Sequence, residues 1–257
     1  MHHDTARTDA PSVFPLELAS ERIRLREFEP TDLQDVQRYT GDAQAVDHVA
    51  FGPNQLVETE TYLHRAIAAA RVVPRRSYEV AITHHRTGEL IGSIRLGLTS
   101  DLNRDASLGY FLRRDLWGRG LATEAAKLLV SFGFERLELH RIWATCSTEN
   151  AASARLLEKL GMRREGHLRE DVRVRGRWRD SYVYAVLERE WHQHQRLGIE
   201  PVIRVLQTLR PYLRLQVEKP SEFEKLRSPA DHLGPADSCL DPESRSALNR
   251  RPSRIDS

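Results

Sequence analysis

Residues Leu108–Ala125 read LGYFLRRDLWGRGLATEA, and this stretch decides the fold. Ser107–Leu112 is a strand, Gly118 and Gly120 form a turn, and an apolar stripe begins at Leu121. Leu121, Ala125, Leu128, Leu129 and Phe132 recur at helical spacing and predict a helix from Leu121 to Phe134. The first amides of such a helix lack internal partners, and the macrodipole is positive there. Glycines in front of it let a ligand approach the main chain closely. The combination favours phosphate or pyrophosphate, with a plain turn as the competing reading. A P-loop is excluded, because no G-x-x-x-x-G-K-S/T occurs, and the third glycine of the dinucleotide fingerprint is missing.

A second junction follows in Cys146–Met162, CSTENAASARLLEKLGM. Arg141–Cys146 reads as a strand, Asn150 as a helix cap and Gly161 as the stop. Asn150 and Ser153 lie on the first turn, where capping alone accounts for both. Cys146 invites a nucleophilic reading, against which stands that of a small buried side chain.

Working outward, Arg22–Arg26 is a short strand and Pro30 opens a helix. Asp42–Pro53 is loop-like, and a helix runs near Glu58–Val73. Ser77–Thr83 and Glu89–Leu98 are strands joined by a hairpin turn, and two more strands flank Arg175 and Gly176, ending near Leu187. This order implies an α/β (α+β) fold, a mixed and mostly antiparallel central sheet flanked by helices. Residues 1–17 read as a flexible leader, 18–191 as the domain, 192–218 as a helical extension and 219–257 as a disordered tail.

The formal net charge of +2 does not mark a nucleic-acid binder. All but four of the 39 cations are arginine, a bias that fits anion recognition or merely a codon preference. Seven of them crowd Arg163–Arg179, as a guide for an acidic partner or an RNA, as a hold for a ligand phosphate, or as plain solvated surface. No apolar stretch suits a membrane span and no secretory signal opens the chain, so a cytoplasmic location is expected. Two distant cysteines give no disulfide framework. His84-His85 and His192-x-His194 lack a third ligand at useful spacing, so no metal is expected.

Trp117–Ala125, WGRGLATEA, resembles motif A of the GNAT superfamily, Q/R-x-x-G-x-G/A, with Trp117 at a position where Gln or Arg is commoner. Asn150-x-x-Ser153-x-x-Leu156 and the run to Gly161, then Glu165-Gly166-x-Leu168-Arg169, look like the motif that follows. Gly176-x-Trp178-x-Asp180-x-x-x-Tyr184 is similar to the branch containing the RimJ/RimL ribosomal-protein N-terminal acetyltransferases. The resemblance spans residues 18–191. It implies acetyl-CoA as donor and a primary amine as acceptor, either a protein N-terminus or a small molecule.

In that family the pantetheine pairs with the fourth strand, here Phe111, Leu112 and Arg113, and the next strand diverges. The pyrophosphate would rest on Trp117, Gly118, Arg119, Gly120, Leu121, Ala122 and Thr123. Asn150 would hold the pantetheine arm. Ser153, by its match to a serine given that role in relatives, would protonate the departing sulfur. Main-chain amides near Phe111 and Leu112 would polarise the thioester carbonyl. Glu170 or Asp171 would relay the amine proton, unless both are solvated charges facing arginines. Many members carry Glu where this chain has Ser107, so no base is available there. The acceptor groove is expected along Gly41–Glu58 and Asp171–Asp180, and the protein as a monomer or homodimer. The competing class is a GNAT-like module without turnover, sensing acyl-CoA or docking nucleic acid through its arginines.

Overall fold

The computed structural model describes residues 15–196. Eight strands form one sheet in the order β1-β2-β3-β4-β5-β6-β8-β7. They are β1 (Glu17–Ala19), β2 (Ile23–Arg26), β3 (Ser77–His84), β4 (Leu90–Ser100), β5 (Asp105–Leu112), β6 (Arg141–Ser147), β7 (Arg163–Val174) and β8 (Arg177–Leu187). Helices α1 (Leu33–Thr40) and α2 (Leu56–Ala70) lie between β2 and β3 in sequence. Helix α3 (Leu121–Glu135) joins β5 to β6, α4 (Ala151–Lys159) joins β6 to β7, and α5 (Glu188–Arg196) follows β8. Every pairing is antiparallel except β5 with β6, which needs the α3 crossover.

Strand alternation sorts the side chains onto two faces. Tyr78, Val80 and Ile82 of β3 stand beside Ile94 and Leu96 of β4. They join Leu108 and Ile142 in the main core, where Ala125, Leu128, Leu129 and Phe132 of α3 pack on them. A Cβ on Gly133 would come within 2.9 Å of the Leu96 and Ile142 side chains, so glycine sets how closely α3 approaches the sheet. Truncating a residue as buried as Leu129 to Ala would cost about 2–5 kcal/mol. The opposite face holds a smaller core of Phe28, Val36, Tyr39, Leu63, Ala66, Ala81 and Leu90 under α1 and α2.

The stretch expected as leader, residues 1–17, ends at the first residue of β1, and Leu16 and Leu18 are both buried in the main core. Leu16 N–H donates to Glu27 Oε1 at 2.9 Å, and buried Arg75 pairs with the same carboxylate at 2.6 Å. A three-residue strand is too short to show alternation in the sequence. At the other end, α5 carries Trp191 into the core against Phe134 and continues to Arg196. The remainder of the expected extension and the whole expected tail lie outside the described residues.

Candidate active site

Strands β5 and β6 pair over three residues only, Asp105–Ser107 with Arg141–Trp143. Beyond Ser107, β5 stays registered on β4 while β6 follows β8, so the sheet opens into a seam. Arg113 N–H donates to Ile91 O at 2.9 Å, which fixes which β5 main-chain groups face β4. By alternation Phe111 and Gly109 also turn toward β4, whereas Tyr110 and Leu112 turn toward the seam. Of the two amides expected to polarise a carbonyl, only that of Leu112 therefore faces it. Phe111 contributes its ring instead, stacked on Tyr39 at 5.3 Å and tilted against Phe51 at 5.7 Å.

The glycine turn sits where β5 ends. Gly118 and Gly120 take φ of +76° and +78°, a region that favours glycine. A Cβ on Gly118 would meet nothing within 4 Å. Gly120 is the N-cap of α3, and no side chain caps the helix. The first intrahelical bond of this turn runs from Glu124 N–H to Gly120 O, so the amides of Leu121, Ala122 and Thr123 are left for an anion. Leu121 is otherwise committed to the core. Trp117 Nε1 donates to Leu112 O at 2.8 Å and ties the turn to the end of the strand. Arg119 reaches Asp115 O at 3.1 Å. Arg22 steadies the helix start through Arg119 O at 3.0 Å and Glu124 Oε2 at 2.7 Å. The Arg113 guanidinium is held by Asp115 and Glu89, and its main-chain N–H and carbonyl are taken by Ile91 O and Leu116 N–H, so the donor contact expected at Arg113 finds no open polar group.

Across the seam, Asn150 is the cap expected of it, accepting Ser153 N–H at 2.9 Å. The Ser153 hydroxyl lies 2.7 Å from Tyr110 Oη, bridging α4 and β5 over a separation of 43 residues. Burial raises the Tyr110 phenol well above its ordinary value. Burial also pushes the Cys146 thiol up to about 11, so the cysteine is a neutral packed side chain. Tyr110 is the site residue that sequence reasoning passed over. Its one signal is a hydroxyl-bearing ring at an inward strand position between Leu108 and Leu112.

The two regions expected to line the acceptor groove do meet. Arg175 Nη2 donates to Val46 O at 2.9 Å and Gly52 O at 3.2 Å. Arg179 Nη1 donates to Asp47 O at 2.9 Å. The β7–β8 hairpin is thus clasped to the loop between α1 and α2. Glu170 and Asp171 sit in a bulge of β7 between Leu168 and Val172. The Glu170 carboxylate is exposed, and its amide donates to Asp180 Oδ1 at 2.9 Å. That bond, with His167 beside it, holds the Asp180 carboxyl below the usual range. Both Asp171 oxygens are shielded from solvent. Strand β7 lies three places from β5 in the sheet order, so neither carboxylate sits on the strand that carries Tyr110.

Among the described residues no cluster of His, Cys, Asp and Glu suits a metal, and no helix is long and apolar enough to cross a membrane. The family model described as an acetyltransferase (GNAT) domain matches residues 22–163. An uncharacterized N-acetyltransferase of Bacillus subtilis, YnaD, is 29% identical over 69% of this chain and 100% of its own length. Another uncharacterized N-acetyltransferase, p20 of Bacillus licheniformis, is 31% identical over 68% of this chain and 97% of its own. Among solved structures, a GNAT-family acetyltransferase from Bacillus anthracis superposes with a TM-score of 0.61 at 28% identity, covering 68% of this chain and 99% of that one. Mycobacterium smegmatis RimJ in complex with CoA-disulfide gives 0.62 at 25% identity, covering 72% and 95%.

Proposed function

The chain belongs to the GNAT acetyltransferases, and from that premise we propose that it moves an acetyl group from acetyl-CoA to a primary amine at the β5–β6 seam. One observation carries this reading: the seam opens directly beside an uncapped helix start. The residues fit the donor, since an extended amide-bearing arm matches the seam-facing main-chain groups of Tyr110 and the amide of Leu112. A pyrophosphate likewise matches the turn at Gly118 and Gly120. When bound, acetyl-CoA supplies an acetyl group already activated as a thioester.

The chain itself supplies position and proton control. The Leu112 amide polarises the acetyl carbonyl, and Trp117 fixes that amide by holding the carbonyl of the same residue. A neutral amine forms the new C–N bond as the C–S bond breaks, and Ser153 Oγ–H delivers a proton to the sulfur and regains one from water. Tyr110 orients that hydroxyl from 2.7 Å. The proton lost by the amine leaves into water along the groove. Positioning of this kind can account for about 7–11 kcal/mol of barrier lowering.

The acceptor class is a protein N-terminus or a small amine. Relatives named as a putative ribosomal N-acetyltransferase in Bacillus subtilis and a spermidine N(1)-acetyltransferase in Escherichia coli support both forms. The test is thiol release from acetyl-CoA against a panel of peptides and amines. No release with any acceptor, together with tight acetyl-CoA binding, would favour a sensing module instead.

A further inference from the structure

Beneath α1 and α2, on the sheet face away from α3, lies a polar cluster that the transfer chemistry does not use. Glu79 of β3 projects there, and Tyr62 of α2 donates its hydroxyl to Glu79 Oε1 at 2.7 Å. Among the described residues no cation lies within ion-pair distance of Glu79, and Arg95 acts on it only from further off. Arg95, opposite it on β4, is drawn away along the sheet. Its guanidinium lies over Gly97, and its Nε donates to Ser77 Oγ at 3.1 Å. Ser93 sits beside both Tyr39 and Tyr62. The Tyr39 hydroxyl is buried, the residue being 1% exposed, and it makes no close hydrogen bond, with the Ser93 and Tyr62 hydroxyls as the polar groups that act on it. A buried phenol of this kind is destabilising unless something pairs with it.

The cluster is both walled and reachable. Tyr39 stacks on Phe111, which packs against Phe51, while Tyr62 meets Phe28 edge-on at 6.0 Å. Glu79, Tyr62 and Phe111 are only half-buried, so the cluster is not sealed. Aromatic faces around a carboxylate suit an organic cation. Burial raises the Glu79 carboxyl above its usual value, and a bound cation would reverse that shift.

Register gives the distance. Glu79 lies opposite Arg95, and Arg95 opposite Gly109 of β5. Two strand steps of roughly 4.8 Å put Glu79 about 10 Å from the strand that borders the seam. That is too far for the amine being acetylated. We propose that Glu79, Tyr62 and the Tyr39 hydroxyl form a subsite for a second cationic group of the acceptor. The preferred acceptor is then a diamine or an amine bearing a distant cation, with the two charges separated by about the width of two strands. The inference rests on the acceptor side proposed above and names the class of molecule it selects.

Diaminooctane and octylamine have equal length and differ by one ammonium group. The wild-type protein should use the diamine with a kcat/KM about ten-fold higher, the scale of one partly buried charged hydrogen bond. Diaminopropane, too short to span, should show no such advantage over propylamine. In Glu79→Gln the octyl ratio should collapse toward one. Tyr62→Phe, which keeps the carboxylate and loses its donor, should fall between. A calorimetric titration of diaminooctane into the CoA-bound protein separates the subsite from turnover. Binding that weakens about ten-fold in Glu79→Gln supports the subsite even if no amine is acetylated, an outcome that would sink the transferase reading alone. Equal diamine binding in wild type and Glu79→Gln, with both variants melting cooperatively, overturns it.

Discussion

On the donor side of the seam, the groups in place are main chain: the Leu112 amide, the β5 edge at Tyr110, and the first amides of α3. Side chains there serve mostly to hold backbone, as Trp117 does at Leu112 and Asn150 at Ser153. On the acceptor side the arrangement is reversed. Long side chains span distant segments, with Arg175 and Arg179 reaching carbonyls at Val46, Asp47 and Gly52. A wall made of backbone tolerates side-chain change but not a change of conformation. A wall made of side-chain clasps fails one bond at a time.

The largest effect should come from breaking the backbone wall. Gly120→Asp forces a side chain into φ +78° and adds a negative charge where an anion is to bind. Acetyl-CoA at a hundred times its Kd stabilises a protein by about 2.7 kcal/mol. A thermal melt should show that shift in wild type and none in Gly120→Asp. An undiminished shift would remove the turn from the donor site.

Next in size is the proton on Ser153. Ser153→Ala should lower kcat by about a hundred-fold with little change in KM for acetyl-CoA. Tyr110→Phe should cost about ten-fold in kcat, because it removes orientation and not the proton itself. Steady-state kinetics with both substrates varied would check the pair. If Ser153→Ala weakens cofactor binding and leaves kcat alone, the hydroxyl is a contact only.

The clasp should respond more mildly and on the other substrate. Arg175→Ala removes the bonds to Val46 and Gly52, and the amine KM should rise several-fold while the acetyl-CoA melting shift stays. A loss on the donor side instead would mean that the two walls are not independent. The smallest effect is expected at Cys146. With its thiol pushed up to about 11, the thiolate is scarce below that pH and grows only in strong alkali. Iodoacetamide labelling should therefore be slow near neutrality and rise with pH, and Cys146→Ala should still turn over.

The same contrast explains what the sequence disclosed. Glycines at 118 and 120, the stripe from Leu121, and Asn150 before α4 are local signals, and all of them sit on the donor side. Strand alternation likewise exposed β3, β4 and β5. The Tyr110–Ser153 contact and the Arg175 clasp join residues 43 and 129 apart, which no local pattern encodes. Nor did composition show which way Phe111 turns its main chain, because that depends on the register with β4. The strand β1 was hidden because three residues carry too little alternation, and its anchor is the distant Glu27–Arg75 pair.

The seam also imposes a pattern in time. In the free chain, the amides of Gly109 and Phe111 are locked against β4, while those of their immediate neighbours Tyr110 and Leu112 have no strand across from them. Deuterium should enter β5 at alternate residues, a two-residue rhythm of fast and slow exchange within one strand. A ligand that fills the seam erases the rhythm, so the sheet reaches its full protection only while it holds its own substrate.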